Sequence, residues 1–234
     1  GSLATGELFV ADLKKNRWVS LDIKKQPLLQ QHFKDQLEVL IFTRQAAVFV
    51  GGTPLDRPEG VVYSSETKSV YVSLTNSAKR GNLFGSILRL QEKADNPLSL
   101  EFTHSQFLMG GEQTGWACPD NLCLDKLGNL WMTTDMSQSE AYIPFANNSL
   151  FYIPLRGPYA GQSFRIASGP VNSELTGPSF SADGETLFLS VQHPGDGTKD
   201  LAKPLSRWPT GIVPKPSVVA ISGPALKQLV NRGI

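Results

Sequence analysis

Three stretches of the chain repeat one pattern: a short strand, a tight polar turn and a second strand rich in β-branched or aromatic residues. They cover 58–75, 119–134 and 176–191, and successive copies lie about 60 residues apart. Such a hairpin can bury its apolar face only against the next copy, which restricts the chain to a few repeat architectures. The pattern predicts an all-β fold, and a β-propeller fits the repeat best.

Further strand-like segments can extend each hairpin to the four strands of a propeller blade. The expected pairs are 85–90 with 98–102 and 149–153 with 163–166, followed by 217–221 after the third hairpin. A partial fourth copy, 7–11 with 18–21, opens the sequence. We therefore predict a β-propeller segment of about four blades.

Two arrangements satisfy this count of blades. The chain is either a four-bladed ring whose first copy completes the last blade, or a part of a larger ring. A partial ring leaves blade edges open, and two copies could pair along those edges as a homodimer. The start of the chain in mid-blade favours the partial ring.

One segment departs from the strand pattern. Asp35 followed by Glu38 is a variant of the capping box, and Gly51-Gly52 ends the helical pattern. The sequence predicts one inserted helix near residues 36–50, with an apolar stripe formed by Leu37, Leu40, Ile41 and Val48. The tail 225–230 is either a frayed end or a short helix that packs Leu226, Leu229 and Val230.

Composition excludes several classes of function. The formal net charge of +1 leaves no basic surface for nucleic acid or for an anionic membrane. No apolar run reaches the roughly 20 residues of a membrane-spanning helix.

Cys118 and Cys123 would lie roughly 16 Å apart on one strand, so we expect free thiols. Gly1-Ser2 is typical of a scar left by an expression tag, and the domain is expected to cover 3–234.

The hairpin geometry predicts where polar residues meet, because the start of the first strand lies beside the end of the second. In a propeller, equivalent positions of successive blades converge on one rim of the central channel. Carboxylate and amide oxygens there suit Ca²⁺ or Mn²⁺, although each residue could instead form a local Asx turn. Residues expected at the rim are Arg57 and Glu59 near Asn76, Asp120 and Asn121 near Asp135, and Thr176 near Gln192 and His193.

The sequence resembles the bacterial PhoX-type alkaline phosphatases. Six motifs, each modest in itself, follow in the family's order over nearly the whole chain. They are Thr53 to Glu59, Leu74 to Asn76, Pro119 to Leu122, Leu130 to Asp135, Glu174 to Gly177 and Val191 to Gly195. The resemblance implies a six-bladed propeller that hydrolyses phosphomonoesters with a cluster of iron and calcium ions. It also implies export through the twin-arginine route to the periplasm or beyond.

Carried over by motif, Glu59, Asp120 and Asn121 would be metal ligands and Arg57 would bind the substrate phosphate. Asn76, Asp135, Thr176, Gln192 and His193 would support them from the rim. Members of the family carry a longer N-terminal part that supplies further carboxylates and a cysteine ligand. That part would be the partner of this chain, and Cys118 does not replace the missing cysteine because it lies in a different motif.

We therefore expect this chain to be the C-terminal propeller portion of a metal-dependent phosphomonoesterase. By itself it should bind metal weakly and show little or no phosphatase activity. Two alternatives remain open from the sequence: a calcium-dependent propeller hydrolase or lactonase that uses Glu59, Asp120 and Asn121, and a non-catalytic propeller scaffold whose rim binds a partner.

Overall fold

The structure is a computed structural model that describes residues 6–234, so the predicted scar at Gly1-Ser2 lies outside the described residues. The all-β, propeller-like fold is confirmed, because the strands form four antiparallel sheets and the helices are few and short.

The chain divides into two compact units. One comprises residues up to Leu55 together with Leu90–Ser105, and the other comprises Asp56–Arg89 and Gln106–Ile234. The extent of the single domain, 3–234, stays a prediction.

The first unit begins with a hairpin and continues with three short helices. The hairpin pairs β1 (Phe9–Asp12) with β2 (Arg17–Ser20). Trp18 donates its main-chain N–H to the carbonyl of Leu100 at 2.8 Å, and its ring lies 5.0 Å from that of Phe102. The helices are α1 (Pro27–His32), α2 (Gln36–Ile41) and α3 (Thr43–Phe49).

The prediction of one continuous helix near 36–50 is wrong in detail, since Phe42 interrupts it with non-helical angles. Asp35 caps α2 as expected and accepts the N–H of Glu38 at 2.9 Å. The predicted apolar stripe is exposed, with Leu37 and Ile41 each 65% accessible. After the break, each short helix buries a different face, and the small core of this unit consists of Leu21, Leu29, Phe33, Val39 and Ala46.

Three larger sheets follow, and each begins with one of the predicted hairpins. The first has the order β3 (Pro58–Ser64), β4 (Ser69–Leu74), β5 (Ser86–Glu92), β6 (Phe102–Met109). The second contains β7 (Pro119–Leu124), β8 (Leu130–Thr134), β9 (Ser149–Ile153) and β10 (Phe164–Ser168). The third contains β11 (Glu174–Phe180), β12 (Leu187–Gln192) and β13 (Ser217–Ile221), and the helix α4 (Pro224–Arg232) closes the chain.

Two strand predictions need correction. The predicted partner of β5 was 98–102, but β6 begins only at Phe102. The preceding residues form a local turn, in which the N–H of Leu98 donates to Oδ1 of Asn96 at 3.0 Å. The first copy does not complete the last blade. Within the described residues, β13 pairs with β12, and β1 pairs with β2 in a separate sheet. The tail helix is confirmed and buries Leu226 and Val230.

Two apolar cores hold the second unit together. The first and second sheets enclose one core around Tyr71, Trp116 and Met132. The second and third sheets enclose another around Trp131, with α4 packed against it. Every residue of β8 and β9 is buried, so the middle sheet is covered on both faces. This packing fixes the three hairpins that carry the polar rim.

Candidate functional site

The first strand of each large sheet carries the same irregularity near its start. At this point the pairing moves three residues along the first strand but only two along its partner. The first strand therefore contains one extra residue, which forms a β-bulge. The interrupted positions are Glu59-Gly60 in β3, Asp120-Asn121 in β7 and Gly177-Pro178 in β11. A bulge redirects the side chain that it contains. The bulges therefore place Glu59 and Asp120 at equivalent positions, and Gly177 takes the corresponding position in the third hairpin.

The residues before the bulges also adopt an uncommon backbone. Arg57 and Cys118 each precede a proline and have φ values of 54° and 52°. Non-glycine residues rarely occupy this region, and residues before proline favour extended angles. Main-chain bonds hold both residues, since Thr75 donates to the carbonyl of Arg57 at 3.0 Å and Asp135 donates to that of Cys118 at 2.9 Å. These bonds place Arg57 and Cys118 at the open ends of the two hairpins, opposite their turns.

The bulges of β3 and β7 touch each other through the main chain. A Cβ atom on Gly60 would lie 2.6 Å from the carbonyl oxygen of Asp120, so only glycine fits this approach. Ser73 of β4 joins the same contact. Its hydroxyl accepts the N–H of Gly60 at 2.7 Å and donates to the carbonyl of Asp120. The starts of the first two hairpins are thereby held at a fixed separation.

Asn121 connects the second hairpin to the third. Its Oδ1 accepts the hydroxyl of Thr176 and the N–H of Gly177, both at 2.5 Å. An amide oxygen has two lone pairs, and both are used here. The predicted metal-ligand role of Asn121 would require at least one of these bonds to break. In this structure, Asn121 and Thr176 join neighbouring strands.

Four carboxylates gather at the rim. Asp120 is 7% exposed, and its burial, together with the charges of Glu174, Asp135 and Glu59, raises its pKa to about 7. Burial and the charge of Asp135 also raise the pKa of Glu174. The carboxyl groups of Asp120 and Glu174 thus influence each other's pKa. Mutual repulsion at the rim favours the binding of a proton or of another cation.

Arg57 lies beside two of these carboxylates. Its Nη2 is 4.0 Å from Glu59 and 3.9 Å from Asp135, and its side chain is 53% exposed. Its Nη1 donates to Oδ1 of Asn76 at 3.3 Å, as the hairpin geometry predicts. Both distances to carboxylates exceed those of a hydrogen bond, so the guanidinium can still offer N–H groups to a ligand.

A second layer of side chains supports Asn76. Its amide donates to the hydroxyl of Tyr142 at 2.9 Å and to the sulfur of Cys118 at 3.4 Å, and Tyr142 donates to the carbonyl of Leu83 at 3.2 Å. Burial raises the pKa of the Cys118 thiol. Cys118 and Cys123 are both free, as predicted. Sequence reasoning missed Tyr142, which lies in a 3-10 helix (Glu140–Phe145) outside the repeated hairpins.

The third hairpin has a different register from the predicted one. Glu174 lies opposite Gln192, whereas Thr176, which was expected there, pairs with Ser190 two residues further on. Oε2 of Glu174 accepts from Gln192 at 2.9 Å and lies 3.4 Å from Nε2 of His193. Glu174 is thus a rim carboxylate that the rim assignment omitted. Its position in the motif Glu174 to Gly177 was the signal that could have identified it.

The donor set suits a hard cation in its chemistry, because it consists of carboxylates that repel one another. The geometry is incomplete. Among residues 6–234, no three His, Cys, Asp or Glu side chains are grouped closely enough to hold a metal ion. Glu59, Asp120, Asp135 and Glu174 therefore match a hard cation in their chemistry but are not grouped as a metal site.

Comparison with known proteins adds the family. The sequence profile of the family described as alkaline phosphatase PhoX matches residues 2–195. Among solved structures, Pseudomonas fluorescens PhoX in complex with vanadate, a transition state analogue, is 32% identical with a TM-score of 0.76. That match covers 88% of this chain and 40% of the other, so this chain spans less than half of the Pseudomonas protein.

Two further structures match at lower scores. A luciferin-regenerating enzyme is 15% identical with a TM-score of 0.47, over 74% of this chain and 47% of that one. The periplasmic gluconolactonase of Pseudomonas aeruginosa is 14% identical with a TM-score of 0.43, over 62% and 39%. Both matches are too distant to bear on function, and no curated protein sequence matches the chain. The family profile covers residues 2–195, which is most of the chain, and the chain belongs to the alkaline phosphatase PhoX family.

Proposed function

We propose that this chain supplies the phosphate-binding arginine and part of the cation-binding rim of a metal-dependent phosphomonoesterase. Family membership supports a phosphatase-like function. The observation that carries the more specific proposal is the placement of Arg57. A half-exposed guanidinium with available N–H groups lies within 4 Å of the carboxylates of Glu59 and Asp135 and is oriented by Asn76. That arrangement suits a phosphate held between an arginine and bound cations.

In this proposal, Arg57 binds two phosphoryl oxygens and orients the ester, and its charge opposes the negative charge that those oxygens carry. Glu59 and Asp120 are the proposed cation ligands, with Asp135 and Glu174 beside them. The bonds of Asn121 favour a positioning role, since they hold the bulge that carries Asp120 against β11. Bound iron and calcium ions would supply charge neutralisation and activation of an oxygen nucleophile.

The remaining ligands would come from the N-terminal part that the resemblance implies. We propose that hydrolysis needs that part, and that this chain alone is weakly active at most. Export to the periplasm or beyond is also a proposal from the resemblance. Among the described residues, no helix has the length and apolar character needed to cross a bilayer.

Binding of inorganic phosphate tests the role of Arg57. We expect calorimetry in the presence of Ca²⁺ to show at least tenfold weaker phosphate binding by Arg57→Ala than by the parent chain. Arg156→Ala is the matched control, because Arg156 is equally exposed and pairs with Glu66 at 2.7 Å. Equal losses in the two variants would show that total charge, and not the rim, binds phosphate.

A second experiment tests whether hydrolysis needs the N-terminal part. Robust hydrolysis of an aryl phosphate by this chain with Ca²⁺ and Fe³⁺ would contradict the need for metal ligands from that part.

A further inference from the structure

A cavity of about 780 Å³ opens beside the rim, within the second unit. We call it the side cavity. Three of its lining residues, Asp135, Glu174 and His193, also belong to the rim, and the cavity extends from them past Ser137 and Asn172. Its volume lies in the range of small-molecule sites. An ester whose phosphate is bound by Arg57 would therefore have room for its alcohol portion in the side cavity.

The walls of the side cavity carry many neutral hydrogen-bonding groups. Hydroxyl and amide side chains both donate and accept, which matches a ligand rich in hydroxyl groups. These side chains include Ser137, Gln138, Ser139, Asn147 and Asn172. Met136 and Ile143 add an apolar side, against which the C–H face of a polyol or sugar can pack.

The charged groups of the side cavity are nearly all acidic. Its lining includes the carboxylates of Glu140 and Asp196 in addition to Asp135 and Glu174, with no lysine or arginine. Among the described residues, the carboxylates of Glu140 and Asp196 take part in no ion pair and accept no hydrogen bond. The main chain of Asp196 is fixed, since its carbonyl accepts Nε2 of Gln138 at 2.6 Å.

Such carboxylates can accept hydrogen bonds from ligand hydroxyls and would repel a second anionic group. The repulsion between two like charges in close contact is weak in bulk water and several times stronger near a protein surface. Near the protein surface, this repulsion should weaken the binding of a second anionic group by at least about tenfold.

We propose that the side cavity binds the alcohol portion of the substrate and selects phosphomonoesters of uncharged, hydroxyl-rich alcohols over those that carry a further anionic group. This inference rests on the proposed function, because it takes the phosphate to be bound at Arg57. The alcohol portion is the part of the substrate that the rim itself does not contact.

Two esters of nearly equal size test the selection. Glycerol 3-phosphate and 3-phosphoglycerate differ mainly by a hydroxymethyl group in place of a carboxylate. Binding of each to the chain is measured by calorimetry in Ca²⁺, with inorganic phosphate as the reference. We expect glycerol 3-phosphate to bind at least tenfold more tightly than 3-phosphoglycerate.

A cation placed in the cavity wall should reverse the preference. Ser137 is exposed, lines the side cavity and makes no side-chain hydrogen bond, so Ser137→Lys should fold normally. We expect it to lower the ratio of the two affinities at least fivefold and to leave inorganic phosphate binding within twofold. Ser105→Lys is the control, because Ser105 of β6 is also exposed and does not line the cavity.

The outcomes separate this inference from the proposed function. If phosphate binds through Arg57 but the two esters bind equally, or if Ser137→Lys leaves their ratio unchanged, the side cavity does not select the alcohol. If neither phosphate nor either ester binds, the proposed function is wrong and this inference is wrong with it. A ratio that Ser105→Lys lowers as much as Ser137→Lys would also overturn the inference, since total charge would then explain it.

Discussion

Glu59 and Asp120 occupy the same bulge in two successive hairpins, yet their surroundings differ. The Glu59 side chain is 44% exposed and faces Arg57, whereas Asp120 is 7% exposed and has its pKa raised by burial and by the charge of Glu174. The middle sheet is covered on both sides, and this accounts for the burial of Asp120. One repeated position has thus produced an accessible carboxylate and a buried one, which divides the rim into an open half and a protected half.

The two halves suit different tasks. Burial and neighbouring carboxylates raise the pKa of Asp120, so the protected half has the stronger tendency to take up a cation or a proton. The open half keeps N–H groups of Arg57 accessible to a ligand. The following predictions test whether this division is real, from the largest expected effect to the smallest.

The contact between the two bulges should be the most sensitive point. Gly60→Ala would place a Cβ atom 2.6 Å from the carbonyl oxygen of Asp120, so the strands must separate. We expect a loss of about 3 kcal/mol in the free energy of unfolding, measured with urea. Gly6→Ala is the control, since nothing lies within 4 Å of the added atom. An effect of Gly60→Ala below 1 kcal/mol would mean that the two halves are not tied through the main chain.

The pH dependence of stability should distinguish Asp120 from Glu59. The native pKa of Asp120 lies at about 7, above its ordinary value of 3.8, so the native state holds the proton more tightly. Stability is therefore fully present below about pH 4 and falls as the pH rises to about 7. Asp120→Asn should remove this fall and be more stable than the parent by about 2 kcal/mol at pH 8, after allowance for solvent screening.

Glu59→Gln is the matched comparison for Asp120→Asn. Because Glu59 is exposed, its replacement should change the free energy of unfolding by less than about 0.5 kcal/mol at either pH. Thermal unfolding at pH 5 and pH 8 checks both variants. The division into open and protected halves fails if the two substitutions give the same pH profile.

Calcium should stabilise the parent chain by relieving the repulsion at the rim. With weak binding, we expect about 1 kcal/mol at 10 mM Ca²⁺, seen as a rise in the unfolding midpoint. Asp120→Asn should lose most of this gain. Sodium chloride at the same ionic strength is the control, and an equal gain with sodium would show that the effect is general screening.

A modest effect is expected from the side chains that support the open half. Tyr142→Phe removes the hydroxyl that accepts from Asn76 and donates to Leu83. We expect a loss of about 1 kcal/mol in stability and two- to threefold weaker phosphate binding, because Asn76 orients Arg57 less firmly. The exposed Tyr159→Phe serves as the control. Unchanged phosphate binding would indicate that Arg57 needs no support from this layer.

The hairpins and their rim could be predicted because they depend on local and repeated signals. Strand periodicity and turn residues placed β3, β4, β7, β8 and β12, and hairpin geometry placed Arg57 beside Asn76. Glu174 was missed because β11 contains a bulge, which shifts its pairing with β12 by one residue. The alternation of polar and apolar residues does not show where such a bulge lies. The pKa of Asp120 also lay out of reach, since it depends on the burial that three sheets create together.

The prediction of one helix near residues 36–50 was wrong for a related reason. Its periodicity gave a plausible apolar stripe, but the break at Phe42 turns each short helix independently, and Val39 and Ala46 are buried instead of Leu37 and Val48. A short helix gains most of its stability from the surface on which it packs. That surface is not encoded in the segment itself.

The glycine contact between the first two bulges bears on the size of ion that the rim would accept. If Glu59 and Asp120 bind a cation as proposed, the separation of their Cα atoms is set by main-chain atoms in contact and cannot be adjusted by loop length. Selectivity between ions of different radius would then depend on the reach of the side chains. Shortening Glu59 by one methylene, in Glu59→Asp, is the change that would shift the preferred ionic radius while leaving the hairpins in place.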